Sequence, residues 1–138
     1  MVQIITPKSR RKDIFYSDVR KDMFLSPLNS DASRNVDEAA VKESIKNLVL
    51  TDRGERLFQP NIGCDIRRNL FENFSPQIKI SMERSIRNTI TQYEPRCNLI
   101  SVNAQATDDN YNILITIIFN IINIPENIEL ELTLERTR

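Results

Sequence analysis

Residues 76–107, PQIKISMERSIRNTITQYEPRCNLISVNAQAT, change period at their centre. Before the break, Ile78, Met82, Ile86, Ile90 and Tyr93 recur at the spacing of one helix face; after it, Ile100, Val102, Ala104 and Ala106 alternate with polar residues, as in a strand. Pro95 makes the break, because its ring clashes with an αR residue before it and drives Glu94 to an extended conformation. At the other end, Ser75 as N-cap and Pro76 at the first helical position form a start signal. In an extended segment, residues two apart point the same way, so Glu94 and Arg96 are predicted to project side by side from a stiff corner. An acid beside a planar base makes a hydrogen-bonding clamp.

Beyond the corner the pattern stays β. A strand over 99–107 is followed by the turn Asp108-Asp109-Asn110 and a longer strand over 111–122. The odd positions of that second strand are all apolar and its even positions mixed, the mark of a central strand with cover on both faces. After a turn at Pro125-Glu126-Asn127, Ile128, Leu130, Leu132 and Leu134 alternate with Glu129, Glu131, Thr133 and Glu135, giving a strand with one core side and one acidic side. Charge on an exposed edge strand keeps it from pairing indiscriminately; an edge is also a row of free amides to which a partner can add a strand.

Upstream, a helix is predicted to begin near Asn35, with Glu38 three residues on as in a capping box. Ala40, Val41, Ile45, Leu48 and Val49 form its buried stripe, Glu38 and Lys42 an i,i+4 pair, and Leu50-Thr51 its end. Gly54 in Thr51-Asp52-Arg53-Gly54-Glu55-Arg56 reads as a left-handed helix stop, with Glu55 and Arg56 pairing locally and shaping the corner from which Leu57 and Phe58 enter the core. A short helix is predicted around 65–71, and Phe71 and Phe74 are assigned to the core. Residues 1–35 read as an arm with short extended pieces near 14–16 and 23–25, and residues 36–138 as one α+β domain, its helices packed on one face of a small antiparallel sheet.

Composition bounds the function. A chain of 138 residues suits one domain. Its 19 basic and 19 acidic residues create no overall field toward nucleic acid or membrane. The charge is uneven: residues 1–21 carry six bases (Lys8, Arg10, Arg11, Lys12, Arg20, Lys21) against Asp13 and Asp18, and residues 108–138 carry six acids against Arg136 and Arg138. With no histidine and only Cys64 and Cys97, a metal site is not expected, and no cofactor-binding loop is present. The first eleven residues lack a signal-peptide core, and no stretch reaches the ~20 apolar residues of a membrane helix, so the chain is expected to be soluble, made in a cytoplasm and to keep its thiols reduced.

The ordered set Thr51-Asp52-Arg53-Gly54-Glu55-Arg56, Leu57-Phe58-Gln59-Pro60-Asn61-Ile62-Gly63, Leu70-Phe71-Glu72 and Glu94-Pro95-Arg96, followed by the alternating strand, resembles the baseplate wedge family of contractile phage tails. That family includes the sheath-initiating subunit and its counterpart in type VI secretion systems. The resemblance covers residues 36–121. It implies a structural virion protein of the tail baseplate, assembled in the host cytoplasm. Its partners would be other wedge subunits, through their helical core bundle, and the tail sheath protein, with the tail tube or hub as a candidate neighbour. In that setting Glu94, Pro95 and Arg96 would meet the bundle, Glu129, Glu131 and Glu135 would border the strand-pairing edge, and Gly54, Glu55 and Arg56 would be structural.

Older naming of this family as lysozyme-like makes a peptidoglycan-cleaving glycosidase the rival reading. Such an enzyme needs two carboxyls flanking a cleft, one with a raised pKa. Glu55, Glu72 and Glu94 are the candidates, but Arg56 and Arg96 adjoin two of them and would lower rather than raise a carboxyl pKa. The basic run from Lys8 to Lys12 lacks interleaved aromatics, which argues against nucleic-acid binding.

Overall fold

A computed structural model describes residues 14–25, 32–72, 74–107, 112–122 and 124–135. Two short strands, β1 (Ser17–Val19) and β2 (Arg34–Val36), pair antiparallel and lead into helices α1 (Glu38–Leu50), α2 (Ile66–Leu70) and α3 (Pro76–Tyr93). Strands β3 (Cys97–Ala106), β4 (Asn112–Ile121) and β5 (Ile124–Glu135) then form an antiparallel sheet in the order β3-β4-β5. The α+β architecture and the central place of β4 match the sequence reading.

Helix α3 begins as its sequence dictates: the Ser75 hydroxyl accepts from the Ile78 N–H at 3.4 Å, and Pro76 occupies the first turn. Its stripe of Met82, Ile86 and Ile90 meets Ile45 and Val49 of α1 and the odd positions of β4, Ile113, Ile115, Ile117, Phe119 and Ile121, in one core. Each such side chain fully removed from water contributes about 1.5–3 kcal/mol before the cost of ordering it. Opposite these residues, Ile128, Leu130, Leu132 and Leu134 of β5 lie on the same face. The even positions of β4 face the other way and are half-exposed rather than covered.

Several local expectations are corrected. Asn35 lies inside β2, paired with Asp18, and α1 starts at Glu38 without a side-chain cap, although Lys42 and Glu38 do pair at 2.8 Å. A register shift between Leu99 and Ser101 turns Ile100 outward and leaves Leu99 against the core, so the alternation read through Ile100 is broken by a bulge. Pro125, Glu126 and Asn127 belong to β5 rather than to a turn, which is tolerable for proline on an edge strand. The turn read at Asp108-Asp109-Asn110 lies outside the described residues, as does the basic run from Lys8 to Lys12.

Candidate functional site

The corner after α3 joins five parts of the chain. Glu94 ends the helix, its N–H still bonded to the Ile90 carbonyl at 2.9 Å, and its side chain is only 2% exposed. Arg96 forks onto it, Nε to Oε1 at 2.6 Å and a terminal nitrogen to Oε2 at 2.7 Å. The Ser44 hydroxyl of α1 donates to the same Oε2. The Arg96 carbonyl accepts from the Ile122 N–H beyond β4 at 3.0 Å, and its guanidinium lies over the Tyr16 ring at 5.8 Å. Burial pushes the Glu94 carboxyl up, but the Arg96 fork and the Ser44 hydroxyl outweigh it and hold the pKa below the ordinary value. The same fork raises the pKa of Arg96.

The two side chains are therefore adjacent, as the extended spacing requires, but the clamp is closed upon itself. Glu94 faces inward, and its carboxylate is engaged by this chain's own Arg96 and Ser44. Arg96 keeps 28% of its side chain accessible, and Pro95 is exposed. Alternation alone could not foresee this, because Ser44 and Tyr16 arrive from distant parts of the chain.

Asp37 is a structural support of the corner that sequence reading missed. It is buried at a φ of 44°, and its Oδ1 accepts from the N–H groups of Phe15 at 2.8 Å and Tyr16 at 3.0 Å, while its own N–H donates to the Tyr16 carbonyl. It thereby ties residues 15–16 to the start of α1 and sets Tyr16 beneath Arg96. The available signal was an aspartate directly before a helix, which ordinarily suggests a cap.

The segment after α1 also departs from expectation. The helix ends in an extended Thr51, and Gly54, at a φ of 86°, sits three residues later in a turn where its N–H donates to the Pro60 carbonyl. Glu55 accepts from the Asp52 N–H at 3.0 Å, and Arg56 borders a shallow groove with Asp18, Ser44 and Tyr93. The loop is anchored at its base, where the Gly63 carbonyl accepts from Thr89 and the Asn61 carbonyl from the Tyr93 hydroxyl. Its tip points away from the core: Leu57 is 86% and Phe58 99% exposed, and Phe58 holds a left-handed φ of 70°. Phe71 is likewise exposed, whereas Phe74 packs partly against the core.

On β5, Glu129, Glu131 and Glu135 stand exposed on the face opposite the core, as the alternation predicts. Cys64 and Cys97 are both free and buried; burial raises each thiol's pKa, that of Cys97 to about 11 with Glu94's charge adding to it. Among the described residues no group of acids and cysteines could hold a metal, and no helix is long and apolar enough to cross a membrane.

The family model of baseplate wedge protein gp25 matches residues 35–126. Baseplate wedge protein gp25 of Enterobacteria phage T4 is 35% identical over 114 residues, 83% of this chain and 86% of that protein. Among solved structures, a Geobacter sulfurreducens protein carrying a tail-lysozyme name is 25% identical, with a TM-score of 0.64 over 71% of this chain and 89% of that one. A chain in the baseplate of the anti-feeding prophage shares the fold at 19% identity, with a TM-score of 0.62 over 89% of this chain and 87% of that one.

Proposed function

The chain belongs to the baseplate wedge protein gp25 family, and on that premise we propose that it is a structural subunit of a contractile-tail baseplate, joining the helical bundle of neighbouring wedge subunits to the first ring of the sheath. The observation that carries this reading is a sheet to whose outer strand β5 no further strand pairs among the described residues, on a domain whose α3–β3 corner is locked by the Glu94, Arg96 and Ser44 node. A rigid body with an unpaired strand edge can receive an extended segment from the sheath protein by adding it to the ladder. The exposed remainder of Arg96, together with Pro95, is the surface that would meet the bundle, Arg96 donating to a carboxylate or a helix-end carbonyl.

The glycosidase reading finds less support. Its general acid would need a carboxyl with a raised pKa, and the buried candidate, Glu94, is lowered and already spent on an internal fork. Glu55 and Glu72 stand on exposed turns.

The test adds the purified chain, incorporated into baseplates, to soluble sheath protein and follows polymerisation by electron microscopy. Sheath rings should start on baseplates that contain the chain and fail on those that lack it. Rings that form equally on both would overturn the proposal, and clearing of a peptidoglycan suspension by the purified chain would favour the enzyme.

A further inference from the structure

The two outer edges of the β3-β4-β5 sheet differ in what their backbone can offer. On β3, the Ala104 N–H donates to Glu83 Oε1 of α3 at 3.0 Å, and Lys79 stands 3.7 Å from the same oxygen. That amide therefore points away from β4 and is occupied. Antiparallel alternation then sets the rest of the sheet. Ile115, opposite Ala104, turns its backbone toward β5, where it meets Leu132. The backbone groups of Glu129, Glu131 and Thr133, one residue out of step with Leu132, face outward from β5. Among the described residues no strand pairs with them.

The two sides of that open edge carry opposite charge. On the outer face stand the carboxylates of Glu129, Glu131 and Glu135. On the core face, beside Leu130, a groove of about 650 Å³ runs between β5, α1 and the segment after β1. In it stand Arg20, Lys21, Lys42 and Lys46 with Asp22 and Glu43. Arg20 is held by Asp22 at 3.0 Å and Lys42 by Glu38 at 2.8 Å, so the excess of positive charge rests on Lys21 and Lys46 against Glu43. A strand added to β5 would present alternate side chains to these two surfaces, because its residues alternate faces. Resting on the strand-pairing function proposed above, we propose that β5, not β3, is the receiving edge. It selects an extended segment of alternating charge, with bases beside Glu129, Glu131 and Glu135 and acids over the groove. Opposite charges directly across a strand pair attract, and a segment in the wrong register meets like charges on both faces.

The test is fluorescence anisotropy on the full chain with a labelled ten-residue peptide, Lys and Val on its odd positions and Glu and Val on its even positions. Wild type should bind it. Binding should weaken by about tenfold or more for a peptide of the same composition with its charges sorted into blocks, and for one N-methylated on the lysine-face residues. Thr133→Pro, which removes an outward amide while sparing the β4 ladder, should weaken it similarly; Glu83→Ala, which uncovers Ala104, should leave it unchanged. If Thr133→Pro does not fold, Lys42→Glu with Lys46→Glu on α1 takes its place with the same expected loss. The proposal is overturned if wild type ignores the peptide, if the blocked or methylated peptides bind equally, or if Glu83→Ala binds more tightly. Sheath seeding reads the broader function separately. A chain that seeds sheath but treats all the peptides alike loses this inference only, whereas one that binds the alternating peptide but seeds nothing loses the proposed function.

Discussion

Arg96 lies over the ring of Tyr16, its guanidinium carbon 5.8 Å from the ring centroid, while two of its nitrogens are held by Glu94. One side chain thus links the segment before β1 to the junction of α3 and β3. A cation over an aromatic face gains about 0.5–2 kcal/mol depending on exposure, so the greater part of the link is the fork to the buried carboxylate.

Arg96→Ala should destabilise the chain by about 2–4 kcal/mol in urea unfolding, because it strands a buried carboxylate; the accessible quarter of Arg96 keeps the cost toward the lower part of the usual range. Arg96→Lys should lose less, since an ammonium can replace charge but not a planar fork. Replacing Glu94 and Arg96 together by Gln should cost less than the sum of the single changes. Additive losses would show that the pair is not coupled.

Acid should unfold the chain in part through Glu94. Its native pKa lies below the ordinary 4.5, so the folded state binds fewer protons there than the unfolded one. Its stabilising contribution is complete above about pH 4.5 and is lost as pH falls through the native value. Glu94→Gln should flatten the stability profile on the acid side of that point. A variant profile parallel to wild type would exclude the carboxylate as a source of the slope.

Asp37→Ala should free residues 15–16 from α1. The change removes an acceptor of two backbone bonds and places alanine at a positive φ, a combined cost of about 2–3 kcal/mol. Asp37→Asn, which keeps an oxygen and tolerates the backbone, should cost about 1 kcal/mol or less. Limited proteolysis should cut the alanine variant faster between residues 14 and 25 and leave the asparagine variant near wild type.

Gly63 and Gly54 should respond differently to alanine. A Cβ on Gly63 would press against the backbone of Thr51 and Asp52, where Cys64 N–H already bonds the Thr51 carbonyl at 2.9 Å. Around Gly54 there is open space, and only the φ of 86° is at stake. Calorimetry should show a loss of about 2–4 kcal/mol for Gly63→Ala and about 1 kcal/mol for Gly54→Ala. Equal losses would mean that the close approach at Gly63 relaxes freely.

Phe58→Gly should raise the unfolding midpoint by about 2–4 °C, because it relieves a left-handed backbone at no cost in packing. A lower midpoint would show that the ring, 99% exposed in the isolated chain, makes a contact that holds the loop.

Local chemistry was legible wherever neighbours in sequence decide it. Periodicity, Ser75-Pro76 and Pro95 placed α3 and its end, and alternation placed the two faces of β5 and its exposed carboxylates. These features depend on sterics and burial within a few residues, which the chain carries in itself. Tertiary contacts decided the rest. Ser44 and Tyr16 reach Glu94 and Arg96 from parts of the chain about fifty and eighty residues away, and their arrival turned an open clamp into an internal lock. Glu83 occupies the amide of Ala104, which makes the two sheet edges unequal; no pattern in either segment carries that information. The Leu57-Phe58 tip reads as core by composition, yet the fold anchors the base of its loop to α3 and leaves the tip outside, because the Cys64 N–H donates to the Thr51 carbonyl and closes the loop beneath it. Hydrophobicity specifies that a side chain gains by burial, and only the path of the backbone decides whether a place in the core is within reach.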